Sequence, residues 1–171
     1  MGVLKETSFV KRTQREGLGE VVFVKPSQLF DPRHQLLSVI FDKDKSLFPA
    51  EEFVSMKALE VLESVGLQTK VDKDTFVKCA WVVEEEQDVD KATVLFEYFA
   101  EHFGDFYDNN QQFTSSLGEI RCVPGEIEGK GVALYRFRET GKFEILCKID
   151  ECLNWSITDI TYTVPNSCSK G

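Results

Sequence analysis

The chain has 171 residues, with 20 Lys+Arg against 29 Asp+Glu and a formal net charge of −9. At 42% hydrophobic and 29% charged it has a globular composition, neither disordered nor membrane-spanning, and a domain this size needs no metal or disulfide staple. An acidic balance opposes polyanions, since nucleic-acid affinity comes largely from Lys and Arg on phosphates, so neither nucleic acid nor membrane is expected as a partner.

The acid is unevenly spread. Residues 51–110 hold 15 acidic and 5 basic residues, a net of −10, which leaves +1 for the other 111. Met1 to Val10 has no apolar signal core, and Glu6 stands where a myristoylation pattern needs Ser or Thr. Cys168-Ser169-Lys170-Gly171 is not a prenylation box. Such ends are expected of a segment cut from a longer cytoplasmic chain. Five cysteines without a Cys-x-x-Cys pair, and only two histidines, predict free thiols rather than a zinc site.

Residues 1–19, ending in Gly17-Leu18-Gly19, read as a polar arm, and residues 20–171 as one domain. Glu20 to Val24 predicts a short strand stopped by Pro26. Gln35 to Phe41 predicts a helical turn with Leu36, Leu37, Ile40 and Phe41 apolar. Over 50–65, Phe53, Met56, Leu59 and Leu62 form one helical stripe, closed by Gly66 as C-cap. Asp72 or Asp74 caps a second helix carrying Phe76, Val77, Ala80, Trp81 and Val83. Asp88 caps a third, whose face of Ala92, Leu95, Phe96, Phe99 and Phe103 runs to Gly104.

Beyond residue 104 the period changes. Ile120 and Cys122 mark a brief strand before Pro124. Residues 132–138 and 143–149 flank a Gly-containing loop, Glu139 to Lys142, and predict a hairpin; 158–164 predict one more strand. The fold class expected is α+β, a central three-helix lobe (about 50–104) with a small antiparallel sheet toward the C-terminus (about 119–164).

Little here spells out chemistry. Gly125-Glu126-Ile127-Glu128-Gly129-Lys130-Gly131 is one residue short of a phosphate loop and carries two glutamates, so it reads as a strand-to-strand connection. No cofactor and no metal are expected. Glu84, Glu85, Glu86, Asp88 and Asp90 form a dense acidic corner, a candidate face for basic partners. Asp31 and His34, close together beside Arg33, are the one place where a small hydrolase or transferase site could be built, which is the alternative reading.

A family resemblance goes further. Pro26-Ser27-Gln28-Leu29-Phe30-Asp31-Pro32, then Leu36-Leu37, then Phe48-Pro49, resembles the Leu-Phe-Asp-Pro and Phe-Pro signature of the sacsin family. Ala58-Leu59 through Val65-Gly66-Leu67-Gln68-Thr69 is similar to that family's leucine-rich helix and Gly-Leu-x-Thr continuation. Cys79-Ala80, a third helix ending Tyr98-Phe99, and Leu117 to Pro124 follow in the same order, with Cys122 where an aromatic is commoner. The likeness covers roughly the first three quarters of the chain. It implies a segment downstream of a heat-shock-chaperone-like ATPase domain in a very large cytoplasmic protein. The expected function is then a non-catalytic scaffold and interaction module in protein folding and quality control. Its partners would be neighbouring domains and the chaperone system. Leu29, Phe30, Asp31, Pro32, Phe48, Pro49, Gly66 and Leu67 carry over as structural signature residues only.

Overall fold

The computed structural model describes residues 2–13, 21–106, 111–127, 131–139, 144–145, 156–157 and 162–163. The expected Gly17-Leu18-Gly19 linker, the loop at 140–142, and Cys147, Cys152 and Cys168 lie outside the described residues. The class is α+β, with helices through the middle and antiparallel strands toward the C-terminus. By its internal contacts the chain divides into two compact units, Met1–Val71 and Asp72–Gly171.

In the first unit α1 (Gly2–Glu6) precedes β1 (Val10–Lys11), which pairs antiparallel with β2 (Phe23–Val24). Part of the expected arm is therefore woven into the unit. Val10 is fully buried, the Ala50 N–H donates to the Lys11 carbonyl at 2.8 Å, and the Thr13 N–H donates to the Phe48 carbonyl at 3.0 Å. A two-residue strand is too short to show a period, so only its tertiary partners reveal it. Next, α2 (Gln35–Ile40) buries Leu36, Leu37 and Ile40.

α3 (Met56–Ser64) starts at Met56 rather than at residue 50 because Ser55 is its N-cap, the hydroxyl accepting the Ala58 N–H at 3.3 Å. Glu51–Phe53 form a separate 3-10 turn. At the far end Gly66 takes φ +115°, a region costly for any residue with a Cβ. The Leu67 N–H then reaches back to the Leu62 carbonyl at 2.9 Å and the Gly66 N–H to that of Glu63 at 3.1 Å. This paired closure satisfies two carbonyls of the last turn and buries Leu67. The stripe of α3 buries Leu59 and Leu62 against Val10, Leu29, Val65 and Leu67.

The second unit opens with α4 (Lys73–Glu86), whose N-cap Asp72 accepts the Thr75 N–H at 2.8 Å. Asp88 likewise caps α5 (Val89–Glu101), accepting the Lys91 N–H at 3.0 Å. α5 stops at His102, short of Gly104, and His102 stacks on Tyr98 at 4.0 Å between ring centroids. α6 (Phe103–Phe106) and α7 (Gln111–Glu119) lead to β3 (Arg121–Ile127), β4 (Gly131–Arg136) and β5 (Glu144–Ile145). A last antiparallel pair joins β6 (Ser156–Ile157) and β7 (Tyr162–Thr163). α4 and α5 lie against β3, and α7 against α4.

The sheet order is β4-β3-β5, so the two segments expected to pair as a hairpin flank β3 instead. β4 ends in a 3-10 turn, Phe137–Glu139, that buries Phe137 against Phe96 and Phe99, both at 5.8 Å. That ring contact turns the chain where a hairpin would continue straight. β3 also runs on through Pro124, which stands opposite Leu134 of β4, rather than ending before the proline.

The core of this unit is aromatic. Phe76 of α4 touches Phe99 of α5 (5.4 Å) and Phe106 of α6 (4.9 Å) at a tilt and Phe113 of α7 (6.2 Å) edge-on, none of them face to face.

Candidate functional site

Three places compete as the functional site. The first is where the signature residues meet, within the first unit. The Phe30 N–H donates to the Leu47 carbonyl at 2.9 Å, the Asp31 N–H to the Gln68 carbonyl at 2.9 Å, and the Gln68 N–H to the Leu29 carbonyl at 3.0 Å. The Phe30 ring packs on Phe41 at 5.2 Å and on Phe48 at 6.2 Å. Leu29, Phe30, Asp31, Phe48, Pro49 and Leu67 are buried, Pro32 is half-buried, and Gly66 supplies the positive-φ turn. Backbone hydrogen bonds thus join the two proline-ended apolar pairs to each other, and the first of them to the segment after α3.

Asp31 is 3% exposed, and its carboxylate is already engaged. Arg33 Nε donates to both oxygens at 3.0 and 2.9 Å, Arg33 Nη2 to one at 2.6 Å, and the Arg33 N–H adds a fourth bond at 2.8 Å. The same guanidinium reaches Glu63 of α3 at 3.3 Å. His34 sits at the N-cap position of α2, half-buried, its N–H donating to the Asp31 carbonyl at 3.1 Å.

Burial pushes the Asp31 carboxyl up, but hydrogen bonds from the Arg33 side chain and backbone, with its charge, outweigh it and hold the group below the usual 3.8. The folded value is the lower one. Its stabilisation is therefore complete above the unfolded value and is lost as pH falls through the folded one. Asp31→Asn is expected to cost about 1–3 kcal/mol at pH 7, and the gap to wild type should shrink below about pH 4. Urea unfolding at a series of pH values measures this; a gap independent of pH would contradict it.

The second place is the acidic corner. Glu85 and Asp90 are exposed, whereas Glu84 and Asp88 are half-buried and Asp88 is used as the cap of α5. Glu86 is half-buried too, its Oε2 accepting the Lys91 ammonium at 2.7 Å. Lys91 itself is 5% exposed. Gln87 closes α4 in the left-handed region, φ 53°, with its amide donating to the Glu84 carbonyl. Two of the five acids therefore hold the α4–α5 junction together, and two others face solvent.

The third place is one the sequence reading missed. A groove of about 570 Å³ runs along α4 and α7, lined by Lys73, Asp74, Val77, Lys78, Trp81, Phe113 and Ser116. Helical spacing puts Trp81 with the apolar residues of α4, yet it is 54% exposed. Phe76, Cys79, Ala80 and Val83 form the buried stripe, and at 100° per residue Trp81 points about 150° away from its centre. Lys73 leans over the Phe113 ring at 5.8 Å from the centroid. A tryptophan off the buried stripe, with a lysine three residues before it, is the signal that was available.

Cys79 and Cys122 are buried free thiols. Burial pushes both up to about 12, helped at Cys122 by the charge of Glu84. A thiol so placed has on the order of a thousandfold less thiolate than a free one. Peptide-resolved alkylation at pH 8 should leave Cys79 and Cys122 unmodified until urea unfolds the second unit. Rapid native labelling of either would contradict the burial. Among the described residues no group of three or more His, Cys, Asp or Glu could hold a metal, and no helix is long and apolar enough to cross a membrane. Comparison with family models, curated proteins and solved structures returns no match.

Proposed function

We propose that the chain is a non-catalytic protein-interaction module, and that its contact surface is the groove on α4 and α7. The observation that carries this is Trp81, a large apolar side chain left 54% exposed on a built groove while Phe76, Phe96 and Phe99 of α4 and α5 are buried. Tryptophan in such a position supplies much of the energy of protein contacts, because one rigid side chain buries a large area at small entropy cost. The groove walls belong to a capped fourteen-residue helix and to α7 packed against it, so the site is pre-formed.

The parent protein we infer is cytoplasmic, very large and chaperone-related, of the sacsin kind, with this segment acting as scaffold beside an ATPase-like domain. What supports that reading is the ordered signature of residues 26–69 and the way its members interlock through Phe30, Asp31 and Gln68. The alternative, a hydrolase or transferase at Asp31 and His34, is less well supported, since four hydrogen bonds from Arg33 occupy the Asp31 carboxylate.

A peptide array probed with the full chain tests the interaction reading. Wild type should retain a reproducible subset of peptides that Trp81→Ala loses, while Glu85→Lys/Asp90→Lys, on the exposed acids, keeps most of it. Retention of nothing above background, or of the same subset by Trp81→Ala, would overturn the reading. Translating the coding sequence that flanks this segment tests the parentage: an ATPase-like domain upstream is the expected result.

A further inference from the structure

We infer that Ser8 is a phosphorylation site for a serine kinase that reads cationic residues around its target, and that the phosphate loosens α1. This is independent of the groove. Kinases select substrates by charge pattern, so the residues flanking each exposed hydroxyl decide which one is taken. In a chain of net −9, the four residues on either side of Ser8 hold Lys5, Lys11 and Arg12 against Glu6, a net of +2. Among the described residues the other exposed serines are Ser27, Ser55, Ser64, Ser115 and Ser116. The same window is neutral around Ser27 and acidic around the other four.

The fold separates Ser8 from the other hydroxyls of this basic stretch. Thr7 donates its hydroxyl to the Val3 carbonyl at 2.8 Å, and Thr13 donates its own to the Pro49 carbonyl at 3.0 Å. Ser8 is exposed in the connection between α1 and β1, outside any helix or strand. Val10, two residues further on, is fully buried, so the serine is presented from an anchored segment. Lys5, three residues before it, is exposed.

In the reaction the γ-phosphorus of ATP forms a bond to Ser8 Oγ as its bond to the oxygen of ADP breaks. ADP leaves with that electron pair, and the hydroxyl proton passes to the kinase's base. The product carries about −1.5 to −2 charge and three acceptor oxygens. Pairing of Val10 with Val24 and Lys11 with Phe23, continued one residue, sets Phe9 opposite Lys25 and Ser8 next to that position. The Lys25 ammonium now holds the Glu6 carboxylate at 2.6 Å, which ties the end of α1 to the segment after β2. A phosphate nearby offers more charge than Glu6, so Lys25 turns to it and the tie is lost. The phosphate also stands two residues past the C-terminal end of α1, where the helix dipole disfavours an anion.

The experiment incubates the full chain with ATP, magnesium and a purified serine kinase that selects cations on both sides of its target, and in parallel with one that selects acids. Site-resolved mass spectrometry reads the product. The first kinase should place at least about tenfold more phosphate on Ser8 than on any of the other exposed serines, and Ser8→Ala should lose that signal. Lys5→Glu should slow it at least about fivefold, at an unchanged melting temperature because Lys5 is exposed. In the phosphorylated chain the amides of residues 3–7 should exchange hydrogen at least about threefold faster, while those of α3 keep their rate. Glu6→Gln, which removes the same ion pair without a phosphate, should reproduce that faster exchange. Phosphate carried mainly elsewhere, or placed on Ser8 equally by the acid-selecting kinase, overturns the site. So does labelling of Ser8 that appears only after urea opens the first unit. Phosphorylated Ser8 with unchanged exchange at residues 3–7 overturns the loosening of α1.

Discussion

Phe76→Ala is expected to destabilise the second unit by about 3–5 kcal/mol, enough to remove a large part of the stability of an ordinary domain. The ring is 2% exposed and sits among Phe99, Phe106 and Phe113, which come from three different helices. Truncation leaves a void that those rings cannot fill without leaving their own contacts. Urea unfolding read through Trp81, in the Trp155→Phe background, reports this unit specifically because Trp81 belongs to α4. Phe23→Ala is the control, since Phe23 is 55% exposed and its loss should move stability by less than about 0.5 kcal/mol. Similar losses in the two variants would mean that the aromatic cluster does not hold the unit together.

Glu86→Leu should be comparably damaging, about 3–5 kcal/mol, for an electrostatic reason. It leaves the Lys91 ammonium buried, with the side chain 6% exposed, and without the carboxylate now 2.7 Å away. Lys91→Met strands Glu86 instead, and Glu86 is better solvated at 16% exposure, so the loss should be smaller. The double variant Glu86→Leu/Lys91→Met should recover most of the loss, because removing both charges removes both desolvation penalties. Additive losses in the double variant would contradict a coupled pair. By contrast, Glu85→Lys and Asp90→Lys, on exposed side chains, should leave stability nearly unchanged. The acidic corner is therefore two kinds of acid in one run of sequence.

Local signals read well wherever a residue acts through its own backbone. Asp72 and Asp88 are caps because a short carboxylate reaches an N–H three residues on, and Gly66 ends α3 because it alone takes φ +115° at little strain. Helical spacing gave the buried residues Leu59, Leu62, Phe76, Ala80, Val83, Ala92, Leu95, Phe96 and Phe99, but it also put Met56 and Trp81 on those faces, and both are exposed. Val10 could not be read this way, since its burial depends on β2 and on Leu29, Leu59 and Leu62, all distant in sequence. The β4-β3-β5 order was equally hidden, because a loop with hairpin chemistry does not say which strand lies alongside.

The candidate site divides along the same line. Composition and spacing alone established an acidic α+β chain with capped helices and an aromatic core, and predicted free thiols, of which the structure shows Cys79 and Cys122 to be buried. They also located the negative charge in residues 51–110. Only the tertiary structure separated Glu86, committed to a buried lysine, from Glu85, which faces water. Only it placed Trp81 beside Phe113 and Ser116 of another helix to make a groove. The physical reason is range. A cap or a stripe is fixed within one or two helical turns, whereas burial, ion pairing and a binding surface depend on which distant segment comes to lie opposite.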